Sequence, residues 1–291
     1  MFLDQIKKMA YGNCLEEIQH VTPEEIAALS SDDLSILHSI MIGPHVSLAI
    51  ATLQRIGFFV DLVPEIQDGL DLKSSKSFKE IWPHTIRVVG QAPPHLNVRW
   101  AALFHDLGKA QAFEIKNNKV TFYNHEFISS RIFSGFALYT GIFSGGQRRA
   151  IRFLISHLGY VENYSAQWTD SAVRRFDKEI GIYLDDLLTL SEADITTGRP
   201  ENRRKILGRL NNLKDRIAKI RELDSQPRLL PKGIGTEISV QLGIPEGPLL
   251  GKTKKDLEDK VKRGELLANE NYSYYIEYLI KNKVESTNTQ E

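Results

Sequence analysis

One cysteine, Cys14, in 291 residues leaves no internal disulfide and no thiolate cage. Any metal must therefore be held by His, Asp or Glu, and a reducing compartment suits the chain. Long apolar runs are missing too. Nothing approaches the roughly 18–20 residues of a bilayer span, and MFLDQIKKMA has neither the apolar stretch nor the small-residue cleavage site of a secretory signal. The expected location is the cytoplasm, with no membrane partner. Net charge is absent as well, with 37 Lys plus Arg against 37 Asp plus Glu, so no chain-wide field draws in nucleic acid or an acidic surface. What is present, 42% hydrophobic and 25% charged residues, buries a sizeable core and excludes collagen-like, disordered and disulfide-scaffold classes.

Locally the charge is uneven. Residues 1–75 hold four Lys/Arg and eleven acids, net −7, which does not suit a phosphate-facing surface. Residues 199–222, RPENRRKILGRLNNLKDRIAKIRE, hold nine Lys/Arg and three acids, net +6. This segment is either a polyanion-facing surface or the solvated face of a helix between two packed units; no aromatics interleave its charges.

Apolar residues recur at helical spacing, as in Ile81 and Val88, Ala101 to Leu103, and Leu184, Leu187 and Leu190. The spacing predicts an all-α fold. One small β-hairpin is expected within AFEIKNNKVTFY, where Phe113 and Ile115, then Val120 and Phe122, alternate around Asn117-Asn118. Breakers at 91–94, 141–146, 225–235 and 243–251 divide the chain. The expected parts are an N-terminal helical region (1–75), a central bundle (76–200), a basic connector (201–230), a C-terminal helical tail (231–285) and a frayed end (286–291).

The histidines are informative through their register. His84 lies three residues after Ile81 and four before Val88, His105 three after Ala102, and His157 three after Leu154. Each occupies a slot where helical periodicity asks for an apolar residue. His125 begins the stripe Ile128, Ile132 and Phe136, and Asp194 ends the stripe Tyr183, Leu187 and Leu190. Four imidazoles and two carboxylates, counting Asp106, directed into one bundle cost several kcal/mol each to desolvate without partners, a penalty that a divalent ion removes. His105 and Asp106, neighbours on a helix, project about 100° apart and grip one ion only if other helices close around it. His84 and Asp194 complete a four-ligand site, and His125 with His157 suit a second ion bridged by Asp106. Oxygen and nitrogen ligands without sulfur suit Mn, Fe, Ni, Co, Zn or Mg.

The order His84, His105-Asp106, Asp194, with His125 and His157 between, resembles the HD-domain superfamily of metal-dependent phosphohydrolases. The stretches IWPHTIRVV, VRWAALFHDLGKA, VTFYNHEFISSRIF, WTDSAVRRF and LDDLLTLSEADITT are similar to the HD-containing half of bacterial tRNA nucleotidyltransferases and poly(A) polymerase relatives. Around residues 76–200, GPHVSLAIATLQRIGFFVDLVPEI resembles that family's neck and IPEGPLLGKTKKDLEDKVKRGEL its tail. The family's polymerase head pairs a Gly-Ser or Gly-Gly loop with Asp-x-Asp. No Asp-x-Asp occurs here, and Gly145-Gly146 reads as a helix-joining turn, so nucleotide addition by this chain alone is not expected.

The resemblance implies a phosphatase or phosphodiesterase, including on 2′,3′-cyclic phosphates, acting on a phosphorylated small molecule, a nucleotide or an RNA end through metal-activated water. One or two divalent ions serve as cofactor. His84, His105 and Asp194 hold the first ion, His125 and His157 the second, and Asp106 bridges or orients them. Lys109 reaches a substrate phosphate or acts as a cation at a helix end. Arg87 approaches the phosphate or ties two helices through a carboxylate. Glu126 lies behind His125 or faces solvent, and Arg148, Arg149 and Arg152 lend the mouth a positive field or are simply solvated. Arg174 and Arg175 make RNA a candidate partner, whereas Tyr272, Tyr274, Tyr275 and Tyr278 suit packing of the last helix. The alternative is a headless relative that binds tRNA, through Arg203, Arg204 and Lys205, or docks a separate polymerase subunit, with a structural or vestigial metal site.

Overall fold

The computed structural model describes residues 2–13, 18–63, 81–225 and 227–288. Cys14, the expected boundary between residues 75 and 76, and residues 289–291 of the expected frayed end lie outside them. The N-terminal helices are α1 (Phe2–Ala10), α2 (Pro23–Ala27), α3 (Ser31–Ile42), α4 (Val46–Arg55) and α5 (Phe58–Leu62). Then come α6 (Ile81–Gln91), α7 (Leu96–Phe104), the strands β1 (Phe113–Lys116) and β2 (Lys119–Phe122), α8 (His125–Thr140) and α9 (Gly145–Glu162). The chain continues through α10 (Asp170–Ile180), α11 (Leu184–Ala193), α12 (Pro200–Ser225), α13 (Ile234–Leu242), α14 (Pro248–Lys262) and α15 (Tyr272–Asn288). The fold is all-α with one small β insertion.

Local chemistry sets the helix starts. Thr22 with Glu25, Ser30 with Asp33 and Ser144 with Gln147 form reciprocal capping boxes that satisfy amides the first turn leaves orphaned. Gly145-Gly146 is the first turn of α9, a helix start rather than a loop. The hairpin pairs Phe113 with Phe122 and Ile115 with Val120. Asn117 and Asn118 have φ of 50° and 58°, which a two-residue primed turn requires and asparagine tolerates.

Two compact units divide the chain, Met1–Ala218 and Lys219–Glu291. In the first, α7 is the central helix, buried from Val98 through Phe104 and packed against α3, α6, α9 and α11. Trp100, Phe104, Phe133, Phe136 and Phe143 interlock beside it with ring centroids 5.0–6.3 Å apart. Arg99 is buried on the same helix because its guanidinium donates to the carbonyls of Ala92, Met41 and Gly43 at 3.0, 2.7 and 2.8 Å. The second unit has its own core of Leu230, Ile234, Ile238, Leu257, Val261, Leu266, Tyr275 and Ile276. Tyr274 and Tyr278 pack on it, and the buried Tyr275 donates its hydroxyl to the carbonyl of Leu267 at 2.7 Å. Among the described residues no helix is long and apolar enough to cross a membrane.

Candidate metal centre

Helix α7 ends at Phe104, so His105 and Asp106 do not sit side by side on a helix as the sequence suggests. His105 is the cap, and Asp106, with φ −106° and ψ −4°, leads into a 3₁₀ turn over Leu107–Lys109. That turn docks on the start of α8, where the Gly108 amide donates to Ser129 Oγ at 2.8 Å. A Cβ on Gly108 would stand 2.3 Å from the carbonyl oxygen of His125 and 2.6 Å from the amide nitrogen of Ser129. Glycine is required here by close approach, and the approach carries His125 toward Asp106.

His84 comes from α6 and Asp194 caps α11. The Nε2 atoms of His84 and His105 lie 3.3 Å apart, and Asp194 Oδ1 is 3.0 Å from the first and 3.3 Å from the second. Among the described residues these three are the trio whose ligand atoms all fall within 4.8 Å of one another. Asp106 Oδ2 stands 3.4 and 3.5 Å from the same two nitrogens, and its Oδ1 faces His125 Nε2 at 3.7 Å. Asp106 therefore lies between the trio and His125.

Ring tautomers follow from the partners, because a carbonyl can only accept. His105 Nδ1 donates to the carbonyl of Ala102 at 2.8 Å and His125 Nδ1 to that of Phe122 at 3.0 Å, while His84 Nδ1 meets Thr196 Oγ1 at 3.0 Å. Each imidazole turns Nε2 toward the centre; in the neutral rings of His105 and His125 that atom carries a lone pair, and in His84 it does so when the Thr196 hydroxyl accepts from Nδ1. His38 shows the contrasting structural pattern. Its Nδ1 accepts from Trp100 Nε1 at 3.0 Å and its Nε2 donates to the carbonyl of Ile142 at 3.0 Å, so both nitrogens are spent in the core.

Asp194 Oδ1 is buried, and while the two ring nitrogens that crowd it are unprotonated it receives no hydrogen bond. Lone pairs converging at 3.0–3.3 Å repel unless a cation lies among them, and the donor set, imidazole nitrogen with carboxylate oxygen, suits a divalent ion. The residues present fit such an ion. Without one, a proton does the work. Burial alone would lower His105, but the charge of Asp106, with the hydrogen bond to and charge of Asp194, pushes it up to about 9. Asp194 responds in the opposite sense: burial would raise it, and the two imidazoles hold it well below the usual carboxylate range. Asp106 is also lowered, with His105 and Lys109 overcoming its desolvation.

Lys109 Nζ reaches back to Asp106 Oδ2 at 2.7 Å and sits 5.9 Å from the ring centroid of Phe122 in the hairpin. A cleft of about 430 Å³ opens over these groups, lined among others by His84, Arg87, Asp106, Lys109 and Thr196. Arg87 and Lys109 therefore share the cleft with His84 of the trio and with Asp106. Arg149 is exposed near the start of α9 and does not line it, and Arg148, Arg152, Arg174 and Arg175 are also exposed. His157 stacks on Phe153, with ring centroids 3.8 Å apart, and donates its Nδ1 hydrogen to that residue's carbonyl at 2.9 Å. It does not join the trio. Glu126 Oε2 meets His125 Nδ1 at 3.3 Å and occupies room that a side chain at Gly159 would fill.

Glu162 is the residue that sequence reasoning overlooks. It ends α9 at an exposed position, five residues past His157 and off its face, so periodicity gave no signal. Its carboxyl hydrogen-bonds Asp194, and crowding by the protein together with the charges of Asp194 and Asp106 pushes it up to about 7. A cation at the centre would lower that value.

The chain is similar to tRNA nucleotidyltransferases. It is 24% identical over 239 residues to the A-adding tRNA nucleotidyltransferase of Deinococcus radiodurans, covering 79% of this chain and 54% of that protein. It is 25% identical over 255 residues to the CC-adding tRNA nucleotidyltransferase of Thermus thermophilus, covering 83% and 55%. The chain thus spans about half the length of the relatives it matches. No protein-family model matches it.

Proposed function

We propose that the chain is an HD-domain metal-dependent phosphohydrolase, a phosphatase or phosphodiesterase acting on a nucleotide or RNA-end phosphate ester. The observation that carries this reading is the convergence of two Nε2 atoms on the buried Asp194 Oδ1, next to a cleft lined by one of those histidines, His84, together with Asp106, Arg87 and Lys109. His84, His105 and Asp194 would hold a divalent ion, with Asp106 beside them. A bound ion supplies Lewis acidity and acidifies water. Asp106 orients the neighbouring imidazoles and keeps Lys109 charged, since its charge outweighs the burial that opposes the ammonium. Arg87 and Lys109 supply positive charge where a phosphoryl group enters the cleft. The similarity to tRNA nucleotidyltransferases supports a nucleotide-processing role connected with tRNA. Asp106→Ala is expected to abolish Mn²⁺- or Ni²⁺-dependent hydrolysis of 2′,3′-cyclic AMP while leaving the helical circular dichroism in place. Turnover equal to wild type in that variant refutes the assignment.

A second reading, a relative that holds tRNA or a separate polymerase subunit around a structural ion, is favoured by the half-length similarity and by the basic helix α12. Part of that basic charge is spent inside the protein. Arg203 donates to the carbonyl of Ile195, Lys214 pairs with Glu192, and Arg216 pairs with Asp170 while donating to the carbonyl of Trp168. This reading predicts salt-sensitive tRNA binding with no cyclic-phosphate turnover.

A further inference from the structure

Beside the cleft, across the turn after α11, lies a second and larger hollow of about 730 Å³ between α12 and the segment following α9. Its size is that of a small-ligand site. Thr197 lines both openings, and its neighbour Thr196 touches His84, so the two hollows share a wall. Lys205 and Arg209, one helical turn apart on α12, line the hollow together with Asn202 and Asn212, and no acid is among the lining residues. The paired cations of α12 make a telling contrast. Arg203, Lys214 and Arg216 each bind a carbonyl or carboxylate, whereas among the described residues Lys205 and Arg209 have no ion pair or hydrogen bond. Arg209 Nε is moreover buried without a partner, a costly arrangement for a guanidinium that an anion would repair.

The rest of the lining is neither purely ionic nor inert. Tyr164 donates its hydroxyl to Asn212 Oδ1, which fixes that amide and leaves its NH₂ as a donor, while Ile206 and Ala166 offer apolar wall. One fixed amide donor and an apolar wall suit a nucleobase, and two unneutralised cations suit its phosphate. We propose that this hollow is a nucleotide subsite adjoining the candidate centre, and that the substrate is an oligonucleotide end rather than a small phosphate monoester. The substrate class rests on the hydrolase reading; the binding site itself does not.

The test uses the full chain in EDTA, where binding owes nothing to a metal. Fluorescence anisotropy of a labelled tetra-adenylate carrying a 3′-phosphate is measured at fixed salt for the wild type, Arg209→Gln, Lys205→Gln and Lys178→Gln, the last an exposed cation on α10. Arg209→Gln and Lys205→Gln are each expected to weaken binding about tenfold or more. Lys178→Gln should stay within twofold, and AMP should compete better than inorganic phosphate. If Arg209→Gln fails to fold, the exposed Lys205 decides alone. Twofold or smaller effects at both positions, an equal loss in Lys178→Gln, or phosphate competing as well as AMP each overturn the proposal. The same wild-type preparation is assayed with Mn²⁺ on 2′,3′-cyclic AMP. Pocket-dependent binding without turnover refutes the hydrolase reading and leaves the nucleotide site standing; turnover without pocket-dependent binding refutes the site alone.

Discussion

Replacing Gly108 by alanine places a methyl group where the start of α8 already stands. The new carbon would lie 2.3 Å from the carbonyl oxygen of His125, 2.6 Å from the amide nitrogen of Ser129 and 2.9 Å from Ile128 Cβ. Two of these three are backbone atoms, so no rotamer change relieves the overlap, and the 3₁₀ turn must retreat by about 1 Å to reach ordinary contact. Overpacking of this kind costs about 2 kcal/mol. The retreat also breaks the bond from the Gly108 amide to Ser129 Oγ, for about 1 kcal/mol more. At about 3 °C per kcal/mol for a unit of this size, the melting temperature falls by about 9 °C. Trp82, Trp100 and Trp168, all the tryptophans of the chain, lie within Met1–Ala218, so intrinsic fluorescence follows that unit's transition. Gly135→Ala on α8 is the control: a Cβ there meets nothing within 4 Å, and alanine in a helix interior should stabilise by about 0.5–1 kcal/mol. A melting temperature for Gly108→Ala within 2 °C of wild type would refute the close-approach argument.

Other perturbations follow from the same contacts. The folded, metal-free protein holds a proton on His105 up to about pH 9, whereas the unfolded chain releases it near 6.5. The corresponding stabilisation is complete below pH 6.5, fades as the pH rises and is gone above 9, a change on the order of a few kcal/mol. Glu162, raised to about 7, is also stabilising only while protonated and loses its contribution between about pH 4.5 and 7. Thermal unfolding in EDTA should therefore show a falling midpoint between pH 6.5 and 9 that saturating Mn²⁺ flattens; a midpoint independent of pH in EDTA counts against the proton-for-metal picture. Arg99→Met should cost about 3 kcal/mol or more, since it strands the carbonyls of Ala92, Met41 and Gly43 in the core, and denaturant titration followed by tryptophan fluorescence reads the loss.

Much of the fold is legible because its causes are local. Periodicity marks α7 and α11, and alternation around Asn117-Asn118 marks the hairpin, while the capping boxes that start α2, α3 and α9 are equally local although periodicity does not register them. The site is less so. Register argues that His84, His105, His125, His157 and Asp194 leave the solvent face, but it treats these positions alike, and the structure does not. His157 settles against Phe153, His125 turns its Nε2 to Asp106 and its Nδ1 to Phe122 and Glu126, and among the described residues His84, His105 and Asp194 meet at one point.

By itself the sequence determined the residue types, their order and the faces on which they lie, since these depend on neighbours three or four positions away. Tertiary structure decided which nitrogen each ring turns inward, because the accepting carbonyls and Thr196 fix the other. It decided that Lys109 folds back on Asp106 through a 3₁₀ turn that ends the helix early, and that Glu162 arrives beside Asp194. It also decided which cations of α12 are neutralised and which are left facing a hollow. These outcomes depend on distances between elements far apart in the chain. A Coulomb interaction or a hydrogen bond is made or lost within an ångström, and the helical repeat does not specify position at that scale.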